Sequence, residues 1–159
     1  IPSEFTYGML FGMQIGNQWY ISPSDNFGFA INVNWVDFTI AKKKVDLFEM
    51  TRRAIDFTFI EVGPLVTYAL SDEIAIDGYY NLRPTLLMTA QIYEGDDDAD
   101  ASIGFGFSHA IGANLRWNVL SVGAEFVGGG INSAAVDSED VDKVKLSTSS
   151  LRFLLGVKF

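Results

Sequence analysis

The 159-residue chain contains no cysteine, which excludes both a disulfide framework and a thiolate metal site. It contains a single histidine, His109, so a catalytic or metal-binding pair of imidazoles is excluded as well. No apolar run approaches the ~20 residues that a membrane-spanning helix requires. Basic residues are in the minority, 11 Lys and Arg against 20 Asp and Glu, and the net charge of −9 argues against nucleic acid as a partner. No basic segment followed by an apolar one opens the chain, so a signal peptide either has been removed or never existed.

The abundant residues are apolar ones, at 48% with 14% aromatic, a high proportion for a soluble domain of this length. They are dispersed at every second position, the period of a β-strand. Phe5, Tyr7, Met9, Phe11, Met13 and Ile15 alternate with Thr6, Gly8, Leu10, Gly12 and Gln14. Phe27, Phe29, Ile31, Val33 and Trp35 alternate with Gly28, Ala30, Asn32 and Asn34. Thr58, Ile60, Val62, Pro64, Val66, Tyr68 and Leu70 form the next apolar face, against Phe57, Phe59, Glu61, Gly63 and Thr67. Ile74 to Met88, Ile103 to Trp117, Leu120 to Phe126 and Leu151 to Phe159 continue the pattern, seven strand stretches in all. Pro64 and Pro84 fall inside strands, where each forfeits a ladder hydrogen bond, and a local bulge is expected to accommodate them.

The connections alternate in length. Short turns are expected at 22–26, 71–73 and 117–119, and longer loops at 41–53, 93–101 and 132–144. Dyad strands of roughly ten residues joined in this way are the pattern of a transmembrane antiparallel β-barrel, in which backbone pairing is completed between strands. The large residues occupy one face and Gly, Ala, Ser, Thr and Asn the other, which predicts lipid outside and a crowded interior. Tyr7, Trp19, Tyr20, Phe27, Tyr68, Trp117, Phe153 and Phe159 lie near strand ends, as interfacial aromatic girdles would. The reading is thus one domain over residues 1–159, all-β, an up-and-down transmembrane barrel. Bacterial single-chain barrels have an even strand number, so the expectation is eight strands when complete, the first lying upstream of Ile1, unless two strands are fused within residues 4–40.

The end of the chain, "SSLRFLLGVKF", places Leu151, Phe153, Leu155, Val157 and Phe159 at alternate positions with an aromatic last. It resembles the terminal-strand signal of bacterial outer-membrane β-barrels. The whole chain resembles small OmpA/OmpX-like barrels, and "IEVGPLVTYALSDEIAIDGYYNLRPTLL" (Ile60 to Leu87) is similar to outer-membrane barrel domains of Bacteroidetes-type bacteria. The resemblance implies an integral outer-membrane location, contact with lipid and lipopolysaccharide, and recognition of the terminal residues by the barrel-assembly machinery. It names no substrate and no cofactor.

Strand register supplies candidate site residues. Pairing across Ser71-Asp72 sets Glu61 beside Asn81 and Arg83, and pairing across Asn118 sets Glu125 opposite Gly112, with Arg152 mid-way along the last strand. Glu61, Arg83, Glu125 and Arg152 are expected to form an interior ion network, with Arg116 nearer the periplasmic end; buried charges require such pairing. Lys42, Lys43, Lys44, Arg52 and Arg53 fall on the outer side, where they would meet lipopolysaccharide phosphates or form a solvated loop. Ser108 and His109 are adjacent, so in a strand they face opposite ways and form no dyad. Asp96, Asp97, Asp98 and Asp100 lack the spaced ligands and turn glycine of an EF-hand, and are read as a solvated acidic loop without metal.

These features predict a non-enzymatic barrel, plugged by polar and ionic side chains, with a structural or surface-interaction role and outer loops that meet lipopolysaccharide or a surface or membrane-complex protein. The alternatives are a narrow pore for small solutes and a lipid A-modifying enzyme.

Overall fold

The computed structural model describes residues 9–23, 26–45, 50–93, 99–135 and 144–157. Every one of the seven elements is a strand: β1 (Met9–Pro23), β2 (Phe27–Val45), β3 (Met50–Ala69), β4 (Ile74–Tyr93), β5 (Ala99–Trp117), β6 (Leu120–Ala135) and β7 (Val144–Val157). They form one antiparallel sheet in sequence order, β1 to β7, an up-and-down topology. The β3–β4 and β5–β6 turns fall where the turn residues stand. Asn118 adopts a left-handed φ of 52° in the β5–β6 turn, a conformation asparagine tolerates well, and its amide donates to the Glu73 carbonyl at 2.8 Å.

The long connections are shorter than the sequence pattern suggests. Residues 41–53, read as a charged loop, are largely strand: β2 runs to Val45 and β3 starts at Met50, with Lys42 paired to Arg53 and Lys43 to Arg52. Backbone pairing continues through polar residues because the ladder is indifferent to side-chain type, and period-two apolarity had been the only cue. For the same reason β5 begins at Ala99 and β6 continues to Ala135, inside the expected loops.

The alternation also changes phase at two places, near the first turn, where the β1–β2 register shifts between Tyr20–Ala30 and Ser22–Phe29 and leaves Ile21 extra, and at mid-strand. Between Ile15–Val36 and Gly16–Asn34 the β1–β2 register shifts by one residue, leaving Trp35 extra; between Thr58–Thr85 and Val62–Leu82 the β3–β4 register shifts by one, at Ile60. Trp35 and Ile60 occupy opposite positions in a β2–β3 register that does not shift, although the two residues are themselves unpaired, so the kink is two strands wide. Ile60 has φ 57°, a left-handed conformation that a β-branched residue adopts only when its surroundings force it. Above the kink the inner face changes parity. Gly28, Ala30 and Asn32 are buried below it and Asp37, Thr39 and Ala41 above; Glu61, Leu65 and Thr67 below and Thr58 and Ala54 above. Thr58, assigned by continuous alternation to the outer apolar face, is therefore buried; Val33, below the kink and of outer parity, is buried as well. The β3–β4 register shift lies across from Pro84, as a bulge that accommodates a proline would, while Pro64 pairs with Ile31 of β2 and has no partner in β4.

The sheet curls until its first and last strands approach. Gln14 of β1 reaches Glu125 of β6, and Arg152 of β7 reaches Asp37 of β2. Inner-face side chains fill the enclosed space in layers. Ala30, Leu65 and Tyr79 pack together toward the short-turn end, and Ala41, Ala54, Leu87 and Ile131 toward the other. Between these apolar layers lie Asp37, Glu61, Arg83, Glu125 and Arg152.

Candidate functional site: an ion network drawn from every strand

The inner face of a small curled sheet is too crowded for water to solvate an ion freely, so each charge must find a partner on a neighbouring or facing strand. Arg83, fully buried at mid-strand on β4, is the centre. Its Nε donates to Glu61 Oε1 at 2.6 Å and its Nη2 to Asp37 Oδ2 at 2.7 Å, while Asp56 Oδ1 lies 3.6 Å from the same Nη2. The third nitrogen, Nη1, reaches Ser108 Oγ of β5 at 3.5 Å. Arg152 enters from β7. Its Nη1 donates to the same Asp37 Oδ2 at 2.6 Å and lies 3.6 Å from Glu125 Oε1, and its Nη2 reaches Asp56 Oδ2 at 3.5 Å.

Four carboxylates thus share two guanidiniums, and neutral donors supply what the cations do not. Asn34 and Asn81 donate to Glu61 Oε2 at 3.0 and 3.2 Å. Gln14 donates to Asp37 at 3.1 Å and to Glu125 at 3.4 Å. Tyr79 donates its hydroxyl to Glu125 Oε2 at 2.9 Å. That reach is possible because Gly112 carries no side chain; a Cβ there would collide with the Tyr79 ring and hydroxyl. Gln14, Asp37, Asp56 with Glu61, Arg83, Ser108, Glu125 and Arg152 represent β1 to β7, so every strand contributes to one hydrogen-bonded assembly.

Glu61, Arg83, Glu125 and Arg152 are brought together here. Arg116 is not: it lies toward the short-turn end, where its Nε is 2.5 Å from Asp77 Oδ2 and its Nη2 donates to Asp77 Oδ1 at 2.9 Å and to the Tyr20 hydroxyl at 3.2 Å. Thr67 donates to Asp77 at 2.6 Å, completing a second, separate cluster. Tyr20 joins this inner cluster instead of an outer girdle, its ring lying over Gly28. Asp37 and Asp56 are the members that strand periodicity missed. Uninterrupted alternation from Phe27 and from Tyr68 would put both on the outer face, and only the paired irregularity at Trp35 and Ile60 turns them inward. A left-handed isoleucine leaves no mark in a sequence.

The outer face is of opposite character. Trp19, Phe29, Trp35, Phe59, Phe105, Phe107, Trp117 and Phe126 are exposed there, and Phe153 and Leu155 of the terminal strand are each 82% exposed. Leu151 and Val157 share that face with them, and Phe159 lies outside the described residues. His109 is exposed on this face with Nδ1 2.5 Å from the Tyr80 hydroxyl, the two rings stacked, while Ser108 points inward to Arg83 and Thr85. Serine and histidine are therefore on opposite sides of the sheet. Of the basic set, Arg53 is exposed, and the backbone pairing of β2 with β3 brings Lys42, Lys43, Arg52 and Arg53 to one end of the hairpin. Asp96, Asp97 and Asp98 lie outside the described residues, among which no group of His, Asp or Glu has the arrangement of a metal site.

Comparison of the chain with protein-family models, with curated proteins and with solved structures finds no match.

Proposed function

We propose that the protein is an integral outer-membrane β-barrel, similar to the small OmpA/OmpX-like barrels of Gram-negative bacteria, with a structural or surface-interaction role and no enzymatic one. One observation carries this reading: the protein is inverted relative to a water-soluble domain. Its largest fully buried side chains include Arg83, Glu61, Glu125, Asn81, Asp37 and Asp77, while its tryptophans and, among the described residues, most of its phenylalanines face outward. In water such an exterior would be an apolar patch far larger than the few hundred Å² that soluble monomers expose. In lipid it is the expected surface, and antiparallel pairing satisfies the backbone where water is absent.

The interior supports a plug and not a conduit. Two apolar layers flank the ion network, and its charges hold one another at hydrogen-bonding distance, a stable filling for a narrow barrel. The basic residues Lys42, Lys43, Lys44, Arg52 and Arg53, at the end opposite the short turns, suit contact with lipopolysaccharide phosphates. The alternating outward residues Leu151, Phe153, Leu155 and Val157 suit recognition by the barrel-assembly machinery.

The decisive experiment is refolding in detergent followed by electrophoresis with and without heating. A mobility shift on heating, with β-type circular dichroism, is expected. A chain that stays monodisperse in buffer without detergent would overturn the membrane reading. In planar bilayers the refolded protein is expected to give no unitary conductance steps, and steady steps would replace the plug by a pore.

A further inference from the structure

The outer face breaks its apolar pattern at one height. Between β1 and β2, Trp35 Nε1 donates to Asn17 Oδ1 at 2.7 Å; between β4 and β5, Tyr80 pairs with His109. Gly128 of β6 and Ser149 of β7 continue the cross-strand row from His109 on the same face. Counted from the short-turn strand ends, Asn17 and Tyr80 stand 6 positions up from Pro23 and Ile74. Trp35, His109, Gly128 and Ser149 stand 8 positions up from Phe27, Trp117, Leu120 and Val157. Hydrogen-bonded aromatic and polar side chains suit a membrane–water interface and are costly in hydrocarbon. A tilted strand crosses the hydrocarbon in ~9–11 residues, which puts the upper edge of the lipid just above this ring.

Beyond that edge the strands differ. The cross-strand row Ile40–Ile55–Met88–Ile103 runs over β2 to β5, with the row Phe38–Phe57–Leu86–Phe105 beneath it. The upper row stands 13 or 14 positions from Phe27, Ala69, Ile74 and Trp117, and the lower one 11 or 12. Ile40, Met88, Ile103 and Phe105 are exposed, and on β6 the lower row gives way to exposed Asn132. Above the lipid such a wall, four strands wide, is the kind of apolar patch that marks an interaction site.

Opposite charges flank this wall. The far end of β2–β3 sets Lys42 opposite Arg53 and Lys43 opposite Arg52, like charges in direct register, which destabilise the pair unless an anion lies between them. The connection from Tyr93 of β4 to Ala99 of β5 carries Glu94, Asp96, Asp97 and Asp98 and no base. Two copies in one membrane share its orientation, so a two-fold axis relating them lies along the membrane normal. Passing between β3 and β4, that axis sets apolar wall against apolar wall and the basic flank of each copy against the acidic flank of the other. We infer that the outer face of β2–β5 above the lipid is an isologous interface with a second copy of this chain. The inference takes the level of the lipid from the membrane reading and gives the proposed surface-interaction role its partner.

The absence of native cysteine makes a cross-linking test clean. Met88 and Ile76 lie on the same strand and face and are 40% and 43% exposed, one above the lipid edge and one below it. Met88→Cys and Ile76→Cys are made singly in the whole chain, checked for the heat-dependent mobility shift, reconstituted in phosphatidylcholine vesicles and treated with a short bismaleimide. Met88→Cys is expected to give covalent dimers about tenfold faster than Ile76→Cys, because assembly raises the local thiol concentration only above the lipid. Adding Lys42→Glu and Arg53→Glu to Met88→Cys should slow the reaction about tenfold by setting like charges together. Mixing that protein with a Met88→Cys copy carrying Asp96→Lys, Asp97→Lys and Asp98→Lys should restore the rate. Equal rates at positions 88 and 76, or no dimer from protein that shows the mobility shift, would overturn the interface and leave the membrane reading standing. A rate indifferent to the charge reversals would leave the cations to lipopolysaccharide phosphates and overturn their pairing with a second copy. If the chain needs no detergent, the membrane reading fails; dimers at position 88 and not at 76 would then still uphold the interface, and their absence would refute both.

Discussion

Arg152 and Asp37 are separated by 115 positions in the chain, yet Nη1 of the one lies 2.6 Å from Oδ2 of the other. They belong to β7 and β2, which share no backbone ladder. The contact exists because the sheet curls and because Asp37 has been turned inward by the extra residue Trp35. A single carboxylate oxygen here receives both Arg83 and Arg152.

Removing Arg83 leaves Asp37 and Glu61 buried without their main counter-charge. Arg83→Met is expected to lower stability by about 3–5 kcal/mol, the range for breaking a buried ion pair from one side. Adding Asp37→Asn and Glu61→Gln to the same chain should recover much of the loss, because no uncompensated charge remains. Urea titration of the protein refolded in detergent, followed by tryptophan fluorescence, measures both.

Tyr79 and Gly112 form a steric and hydrogen-bonding unit. Gly112→Ala is expected to push the Tyr79 ring away from Glu125, and Tyr79→Phe to remove the hydrogen bond without the push; each should cost about 1–3 kcal/mol. Gly78→Ala is the control, since a methyl there meets nothing within 4 Å. Equal unfolding midpoints for Gly78→Ala and Gly112→Ala would show that the close approach carries no energy.

Ile60 sets the phase of half a strand. Deleting it keeps Asp56 and Thr58 inward by plain alternation from Glu61 and makes the β3–β4 register regular, but leaves Trp35 of β2 without an opposite residue, so the deletion variant is expected to show the heat-dependent mobility shift only when Trp35 is deleted with it. Ile60→Gly keeps the extra residue and relieves the left-handed strain of roughly 1–2 kcal/mol, at the loss of one outward apolar side chain, so it should fold. A variant lacking Ile60 alone that refolds as well as the parent would show that the kink is dispensable.

Trp19, Trp35 and Trp117 all face outward. In vesicles containing lipids with brominated acyl chains their fluorescence should fall steeply, while aqueous acrylamide should quench little. The opposite pattern would place the apolar face against protein or water.

Strand identity and the placing of Glu61 beside Arg83 and of Glu125 opposite Gly112 were legible because period-two alternation and tight turns fix register locally, while Arg152, beyond a long loop, could be placed only about mid-strand. The strand ends were not legible, since Lys42, Lys43 and Asp100 lie in paired backbone without any apolar signal. The inner membership of Asp37 and Asp56 was hidden for a different reason: parity is counted along a strand, and one inserted residue reverses everything beyond it. Tyr20 was misread because an aromatic near a turn fits a girdle or a mouth equally well, and its partners Thr67 and Arg116 are distant in sequence.

An assembly that draws one or more polar groups from each of seven strands also acts on the order of folding. A sheet missing any strand, or one docked a residue out of phase, presents at least one naked charge or orphaned donor to its interior. Partial and misregistered states are thereby penalised, while the completed arrangement is not. The network therefore serves as an internal tally, closed only when the last strand, with Arg152, has come to rest against the second.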